Sequence, residues 1–310
     1  MQELKFKDLV PLTTLTRGGM AESFHSGVAV LIDPDGNILQ ELGNSKAAMF
    51  PRSALKPVQA LAMRELGLDL SGPELVLSMA SHLGTKEHRS LVESLLAKNG
   101  FSESDLQCPV ANPSSIAAKG DPTSRLAMNC SGKHAAFLAT CKINGWETDN
   151  YLEPEHPLQK AFMDKVEQLS GEKVHLTTTD GCGAPLFAIS TLGLARAISA
   201  FMRSGADLFE AAKQSPWVIG DHDSADAVFL EHGLMAKIGA EGVFVVGLDT
   251  GEALAIKIGD GNLRAALLVA LKMLENNGLI SREISEGIWQ KVAPKVLGGN
   301  RVVGEFRVSF

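Results

Sequence analysis

A serine and a lysine three residues apart lie in the stretch "PRSALKPVQ", where Ser53 is followed by Lys56. On a helix these positions share one face, so the two side chains can meet. A serine hydroxyl becomes a nucleophile when a base takes its proton, and a neutral lysine amine is such a base. Serine is also a favoured N-cap residue and lysine a common surface residue, so the pair fits an ordinary helix start too. Ser53 and Lys56 are therefore candidate catalytic residues with a simpler structural alternative.

An ordinary lysine has a pKa of about 10.4, so Lys56 can act as a base only if burial or a second cation lowers that pKa. The strand-like stretch "EALAIKIGDG" offers Lys257 as the second cation, on the strand face that also carries small alanines. The alternative for Lys257 is a solvent-facing lysine on an edge strand. The run "LVLSMASHLG" predicts an apolar strand ending near Ser81, which could relay a proton, although serines at strand ends commonly serve turns.

Two further motifs carry thiols. Cys130 and Lys133 are spaced C-x-x-K in "MNCSGKHAAFLATC", and Cys182 lies in "TTTDGCGAPLFAIS"; each motif precedes an apolar run that predicts a helix. Thiolates and amines are donors that Zn²⁺ accepts in tetrahedral sites, although lysine must lose a proton to bind. The alternative is that both cysteines are small buried residues. Cys108 and Cys141 lack such surroundings and are expected to be structural.

Three more polar residues stand against these motifs: Arg52, His134 and Asp180. Arginine binds a carboxylate through two hydrogen bonds and aspartate can hold an ammonium group, so together they suit an α-amino acid. Each also has an ordinary alternative, since Arg52 fits a surface helix start, His134 a core imidazole and Asp180 a helix cap. The sequence therefore predicts them as candidate substrate-binding residues.

The elements that must position these residues indicate an α/β (α+β) protein. The stretches "GVAVLIDPDGNILQEL" and "EGVFVVGLDTGEALAIKIGDG" predict two β-hairpins, and the closing "RVVGEFRVSF" predicts a further strand. We expect one antiparallel sheet built from both ends of the chain, flanked by helices and carrying a helical insertion, within a single domain spanning residues 1–310. Period and end signals predict helices at 53–66, 88–98, 156–169, 184–202 and 263–276.

Composition limits the partners. The chain has 310 residues, of which 45% are hydrophobic and 21% charged, enough to bury a sizeable core. A net charge of −7 argues against nucleic acid or an anionic membrane as the main partner and favours a small molecule. No stretch of about 18 apolar residues and no signal-peptide pattern occurs, so we expect a cytoplasmic protein whose four cysteines are free thiols, metal ligands or both.

The motifs together resemble a known family. An S-x-x-K motif, then a serine, then K-x-G is the order found in serine β-lactamases and penicillin-binding proteins. More specifically, the chain resembles the asparaginase II family, typified by zinc-binding rhizobial L-asparaginases, over roughly residues 20–275. Five motifs carry this resemblance: "PRSALKPVQ", "MASHLG", "MNCSGKHAAFLATC", "TTDGCGAP" and "KIGAEGVF…LAIKIGDG".

The resemblance implies a fold similar to serine β-lactamases and glutaminases, a homodimer, and hydrolysis of L-asparagine to L-aspartate and ammonia. By motif, it implies that Ser53 is the nucleophile with Lys56 as its partner, and that Ser81 and Lys257 form a second serine–lysine pair. It further implies zinc held by three ligands and an acidic residue near metal and substrate: Cys130, Lys133 and Cys182 for the metal, and Asp180 for the acid.

Two alternatives stay open at the level of sequence. One is a glutaminase or another β-lactamase-like serine amidase with the same catalytic groups. The other is a non-catalytic protein that binds zinc or an amino acid. Assays of ammonia release from L-asparagine and L-glutamine distinguish these three hypotheses.

Overall fold

The computed structural model describes residues 1–310 and contains eleven β-strands and ten α-helices. The strands are β1 (Val10–Arg17), β2 (Met20–Ile32), β3 (Ile38–Leu42), β4 (Ala48–Met49), β5 (Leu176–Thr179), β6 (Pro185–Ser190), β7 (Met235–Gly239), β8 (Val243–Gly247), β9 (Ala253–Ile258), β10 (Val296–Gly298) and β11 (Arg301–Val308). The helices are α1 (Lys56–Glu65), α2 (Gly72–Leu77), α3 (Lys86–Lys98), α4 (Ser131–Asn144), α5 (Pro157–Ser170), α6 (Thr191–Ser204), α7 (Ala206–Gln214), α8 (Ala225–Glu231), α9 (Ala266–Asn276) and α10 (Arg282–Val292).

The main sheet has eight strands, all paired antiparallel, in the order β10-β11-β1-β2-β9-β8-β7, with β3 paired to β2. The long strand β2 makes this possible, because its first half pairs with β1 and its second half pairs with β9 on one edge and β3 on the other. Strands from both ends of the chain therefore share one sheet. A second, smaller sheet has the order β4-β6-β5.

The two faces of the main sheet bury different cores. On β9, Ala253 and Ala255 face the larger core, which also contains apolar residues of α1 to α7. Leu254, Ile256 and Ile258 face the smaller core, formed with α8, α9 and α10. Alternate residues of a strand point to opposite faces, so this division follows directly from the sequence. It also places Lys257 on the same face as the alanines, toward the larger helical layer.

Most of the predicted elements are confirmed. The first hairpin is β2–β3, the second is β8–β9, and the closing strand is β11, which pairs with β1. The helices predicted at 88–98, 156–169 and 263–276 correspond to α3, α5 and α9 within about three residues. The antiparallel sheet flanked by helices, with a helical segment inserted between its strands, is thus the observed architecture.

Two predicted elements are wrong. The run "LVLSMASHLG" is not a strand, because residues 72–77 form α2 and Ser81 lies in the irregular segment after it. The predicted helix 184–202 begins as strand β6, and the helix α6 starts only at Thr191, after Ser190 caps it by accepting a hydrogen bond from the Gly193 N–H. The apolar run after Cys182 is therefore first a strand, whereas the one after Cys130 is helix α4 as expected.

All four cysteines are free and buried. Burial raises the pKa of both Cys108 and Cys141 to about 12, so these two thiols stay protonated and inert. No helix combines the length and the apolar composition that a membrane crossing requires.

Candidate active site

Ser53 lies in a 3₁₀ turn, Arg52–Leu55, that runs directly into α1, whose first residue is Lys56. Residues three apart in a 3₁₀ turn are eclipsed, so Ser53 and Lys56 project from the same side. The Lys56 side chain is buried, and its Nζ donates to the Ala80 carbonyl at 2.5 Å and to Ser81 Oγ at 2.9 Å. The structure thus brings one lysine next to both candidate serines, with its hydrogen bonds directed to Ser81 rather than to Ser53.

Backbone contacts hold Ser81 at this place. The Ser81 N–H donates to the Ile219 carbonyl at 2.9 Å, and the Leu83 N–H donates to the Gly220 carbonyl at 2.9 Å. The segment after α2 is therefore pinned to the segment before α8, and Ser81 points back toward α1. A loop placed by such hydrogen bonds can hold a polar side chain as firmly as a strand end would.

Lys56 has no carboxylate partner. Burial lowers its pKa, and the nearby charges of Lys133 and Lys237 lower it further, whereas contact with Cys130 opposes them. Lys237 comes from β7 and is fully buried in an ion pair with Asp226, at 2.7 Å. The cations beside Lys56 are therefore Lys133 and Lys237, and Lys257 has a different set of neighbours. Sequence reasoning missed Lys237, although it lies within the motif "KIGAEGVF".

The two thiols and Lys133 meet beside Lys56. The Lys133 Nζ lies 3.5 Å from Cys182 Sγ, and the two cysteines are hydrogen-bonded to each other. That hydrogen bond, together with the charges of Lys56 and Lys133, lowers the pKa of Cys130 well below the usual value despite burial. The same bond and burial raise the pKa of Cys182. The pair is therefore biased toward a thiolate on Cys130 that accepts a hydrogen bond from the Cys182 thiol.

Asp180 lies beside this cluster and binds Arg52. The Arg52 Nε donates to Asp180 Oδ1 at 2.7 Å, and the Gly181 N–H donates to the same oxygen at 2.8 Å. Burial opposes ionisation, but these two hydrogen bonds outweigh it and keep the pKa of Asp180 below its usual value. Arg52 itself has a φ of 53°, a conformation rare for a residue with a side chain. Such a strained residue next to a candidate nucleophile is typical of functional sites.

His134 is fully buried on the first turn of α4. Tyr151 OH lies 2.9 Å from its Nδ1 and accepts the Gln107 N–H at 2.8 Å, so the hydroxyl proton is free to bond Nδ1. The Nε2 atom has no hydrogen-bond partner. Burial lowers the pKa of His134 well below its usual value, and Lys133 and Lys56 lower it further. A neutral imidazole with an unpaired Nε2 is left close to the two lysines.

Lys257 lies on the central strand β9, not on an edge, and its Nζ donates to the carbonyls of Glu241 and Ile258, the latter at 3.1 Å. Burial lowers the pKa of Lys257, as does Arg52, while Glu241 and Asp260 raise it. Lys257 therefore lies at the edge of the site, where its charge interacts with that of Arg52. It makes no hydrogen bond to Ser81, which is bonded to Lys56.

A cavity of about 450 Å³ lies on the Lys257 side of the site. Arg52, Lys257 and Glu241 line it together with apolar side chains, but Ser53 and Lys56 do not. The candidate centre is therefore defined by the converging side chains around Lys56, and the cavity is an adjoining space reached past Arg52.

Sequence comparison places the chain among known proteins. The family model of L-asparaginase II matches residues 13–308. Among solved structures, the chain is similar to a Bacillus glutaminase crystallised in 4.3 M NaCl, with 12% sequence identity, 82% of this chain and 91% of that chain covered, and a TM-score of 0.37. No curated protein sequence matches it significantly. Because the matched segment covers nearly the whole chain, the protein belongs to the L-asparaginase II family of amidohydrolases.

Proposed function

We propose that the protein hydrolyses L-asparagine to L-aspartate and ammonia through an ester on Ser53. The observation that carries this proposal is the buried Lys56, which lies one 3₁₀ turn from Ser53, bonds Ser81 Oγ and has no carboxylate partner. Burial lowers the pKa of Lys56 in spite of its contact with Cys130, and this favours the neutral amine, which is the state that can take a proton from a serine.

In the proposed reaction, neutral Lys56 takes the Ser53 hydroxyl proton while the oxygen attacks the side-chain amide carbon of asparagine. The first N–H groups of the 3₁₀ turn have no carbonyl of that turn to bond, and they face the developing oxyanion. The carbon–nitrogen bond then breaks, and the amide nitrogen leaves as ammonia with a proton passed from Lys56 through Ser81. Water, deprotonated by the same lysine, hydrolyses the ester and returns the proton to Ser53.

The substrate's α-groups find complementary partners nearby. The Arg52 guanidinium keeps donors beyond its bond to Asp180 and suits the α-carboxylate, while the ionised Asp180 suits the α-ammonium group. The unpaired Nε2 of buried His134 supports a third contact, because a buried polar atom without a partner is costly unless a ligand satisfies it. We assign these three residues to substrate binding.

The thiol cluster fits zinc by its donors. Two sulfurs and the Lys133 amine meet in a buried place, and Cys130 is already biased toward the thiolate that metal binding needs. No group of three or more His, Cys, Asp or Glu side chains is placed to hold a metal, so the proposed set takes the Lys133 amine as its third ligand. We propose that Cys130, Lys133 and Cys182 hold Zn²⁺. Bound zinc would supply a fixed positive charge that orders these residues and orients the substrate.

Ammonia release tests the proposed activity. Purified protein is expected to release ammonia from L-asparagine at neutral to mildly alkaline pH, Ser53→Ala is expected to be at background, and the exposed Ser102→Ala is expected to match the wild type. Hydroxylamine should divert the Ser53 ester to the aspartyl hydroxamate, since it competes with water for the same carbonyl. Release from L-glutamine alone would replace the substrate with glutamine, and no release from either amide would refute an amidase activity on free amino acids.

Elemental analysis tests the metal. Protein purified without chelator is expected to carry close to one zinc per chain, Cys182→Ala is expected to carry almost none, and Cys141→Ala, which removes a buried thiol elsewhere, is expected to keep it. A trace amount of zinc in the wild type, even after zinc is supplied, would contradict the ligand assignment.

Two further expectations, a homodimer and a cytoplasmic location, are kept as proposals. The homodimer is tested by sedimentation of the purified chain, where a species of single-chain mass over the micromolar range would refute it. Fractionation of the source cells tests the location.

A further inference from the structure

A buried histidine outside the proposed mechanism lies between a carboxylate and a guanidinium and is hydrogen-bonded to both. His25 on β2 is 2% exposed, and its Nδ1 lies 2.6 Å from Asp260 Oδ2. On the other side of the ring, Arg264 Nε donates to His25 Nε2 at 3.0 Å. A guanidinium only donates, so Nε2 accepts and the ring proton must be on Nδ1, from where it is donated to Asp260. The position of each proton in this chain of three residues is therefore fixed.

Two further contacts hold the imidazole and the guanidinium in place. The His25 ring stacks on Phe306 of β11, with ring centroids 6.4 Å apart, and the Arg264 guanidinium lies 5.5 Å from the centre of the same ring. Arg264 also donates to Ser23 Oγ at 3.3 Å. Elements from both ends of the chain thus converge to orient one histidine toward Asp260.

Asp260 lies in the loop that follows Lys257. The Gly259 N–H donates to the Ser26 carbonyl at 2.7 Å, and the Asn262 N–H donates to Asp260 Oδ1 at 2.9 Å. Both oxygens of the carboxylate are therefore bonded, one by His25 and one by the loop itself. The loop is fixed to β2 at the point where β9 ends.

The same loop packs against the turn that binds Lys257. A Cβ added to Gly242 would lie 3.0 Å from the Gly261 carbonyl carbon, and one added to Gly261 would lie 2.7 Å from Glu241 Oε2. Both glycines also have positive φ, 70° and 77°. Such close approach requires glycine on both sides. Because the Glu241 carbonyl accepts a hydrogen bond from Lys257, the position of the Asp260 loop bears directly on where the ammonium group lies.

We propose that His25, held by Arg264, is a positioning residue that fixes Asp260 so that its carboxylate maintains the charge and place of Lys257. The charged groups that face Lys257 are Glu241, Asp260 and Arg52, and the first two oppose the effect of the third. His25 and Arg264 face Asp260 from β2 and from the turn before α9. The inference rests on the proposed function, in which Lys257 is a candidate catalytic residue beside Arg52, and it adds a network that no motif identified.

NMR titration of the protein labelled at lysine Cε measures the pH midpoint of Lys257 without substrate. The Lys257→Arg variant assigns the Lys257 signal. Asp260→Asn and His25→Phe are expected to move the Lys257 midpoint down by about half a pH unit or more, because a favourable carboxylate is removed or released. His25→Asn, which keeps a donor toward Asp260, and Asp249→Asn, which removes an exposed acid at the other end of β9, are expected to leave it unchanged.

His25→Phe separates positioning from packing, since it keeps the ring on Phe306 and loses only the hydrogen bonds. An unchanged Lys257 midpoint in Asp260→Asn or in folded His25→Phe would overturn the proposal. An equal shift in His25→Asn and His25→Phe would also overturn it, by assigning the effect to the ring. Thermal unfolding of each variant shows whether it is folded.

Activity adds a separate readout. With L-asparagine as substrate, Asp260→Asn is expected to move the limb of the pH–rate profile that depends on Lys257 to lower pH, lowering kcat with KM within about twofold. A shifted midpoint with an unmoved profile would overturn the link to catalysis. Absence of ammonia release by the wild type would refute the proposed function, while the NMR titration would still decide whether the network controls Lys257.

Discussion

The two lysines of the site lie in opposite surroundings. Lys56 is buried among two cations and a thiol pair, with no carboxylate partner and with Cys130 as the one acidic group that raises its pKa. Lys257 donates to two carbonyls and faces the carboxylates of Glu241 and Asp260. Burial lowers the pKa of both; around Lys56 only the Cys130 thiol opposes this effect, whereas around Lys257 two carboxylates oppose it. From this comparison we propose different roles for the two lysines, in which Lys56 is the neutral base and Lys257 is a cation held by its acidic neighbours.

The largest expected effect is the difference in kcat/KM between variants of Lys56 and Lys257. Lys56→Met removes the base and is expected to lower kcat/KM for L-asparagine by about 10³- to 10⁴-fold, whereas Lys257→Met is expected to cost about 10- to 100-fold, since it removes a charge outside the proton transfer. Steady-state ammonia assays measure both. The exposed Lys98→Met is the control and should match the wild type.

Equal losses in the two variants would break the comparison and make Lys257 a second base. A larger loss at Lys257 would exchange their roles. Unfolding curves for both variants distinguish lost chemistry from lost structure.

The next effect concerns the ion pair behind Lys56. Lys237 and Asp226 are buried, and burial raises the pKa of Asp226, so removing Lys237 leaves a carboxylate without its partner. Lys237→Met is expected to lower the free energy of unfolding by about 3–5 kcal/mol, and Asp226→Leu added to it should recover most of the loss. Urea unfolding measures both.

Lys291→Met removes a partner from the exposed pair with Glu231 and should change stability by about 0–1 kcal/mol. A similarly small change at Lys237 would mean that water reaches Asp226, which would contradict the burial of the charged groups around Lys56.

Sequence reasoning recovered the elements that periodicity and turn chemistry determine. The two hairpins, the closing strand and the faces of β9 follow from alternation and from turn residues, and the structure has them. The wrong strand near Ser81 had a visible signal, since Ser71, Pro73 and Glu74 have the composition of a helix start. The break between β6 and α6 had one as well, in the capping Ser190.

Periodicity and turn chemistry could not predict which charged residues lie next to Lys56. The sequence predicts that burial or a second cation lowers the pKa of Lys56, but which lysine lies near it depends on how β7 and β9 stack against the 3₁₀ turn. Strand order is a long-range property, and Lys237 reaches the site because β7 lies two strands beyond β9. The candidate residues could therefore be named from the sequence, whereas their partners required the fold.

The smallest expected effect is a pH dependence of stability on the Lys56 side. His82, next to Ser81, is fully buried, and its Nε2 lies 2.9 Å from Ser131 Oγ. Burial lowers its pKa well below the usual 6.5, with help from the charges of His88 and Lys56. The unfolded chain binds a proton near pH 6.5 and the folded chain does not, so this stability is fully present above about pH 6.5 and is lost as pH falls.

A buried histidine of this kind changes the free energy of unfolding by up to about 1.4 kcal/mol per pH unit below pH 6.5. Urea unfolding of the wild type between pH 7.5 and 5 should show this loss, and His82→Gln, which keeps a donor toward Ser131, should flatten it. The exposed His222→Gln should leave the slope unchanged. If the slope changed in His222→Gln instead, or in neither variant, burial would not keep His82 unprotonated. The surroundings of Lys56 and Lys257 would then differ only in the carboxylates near Lys257.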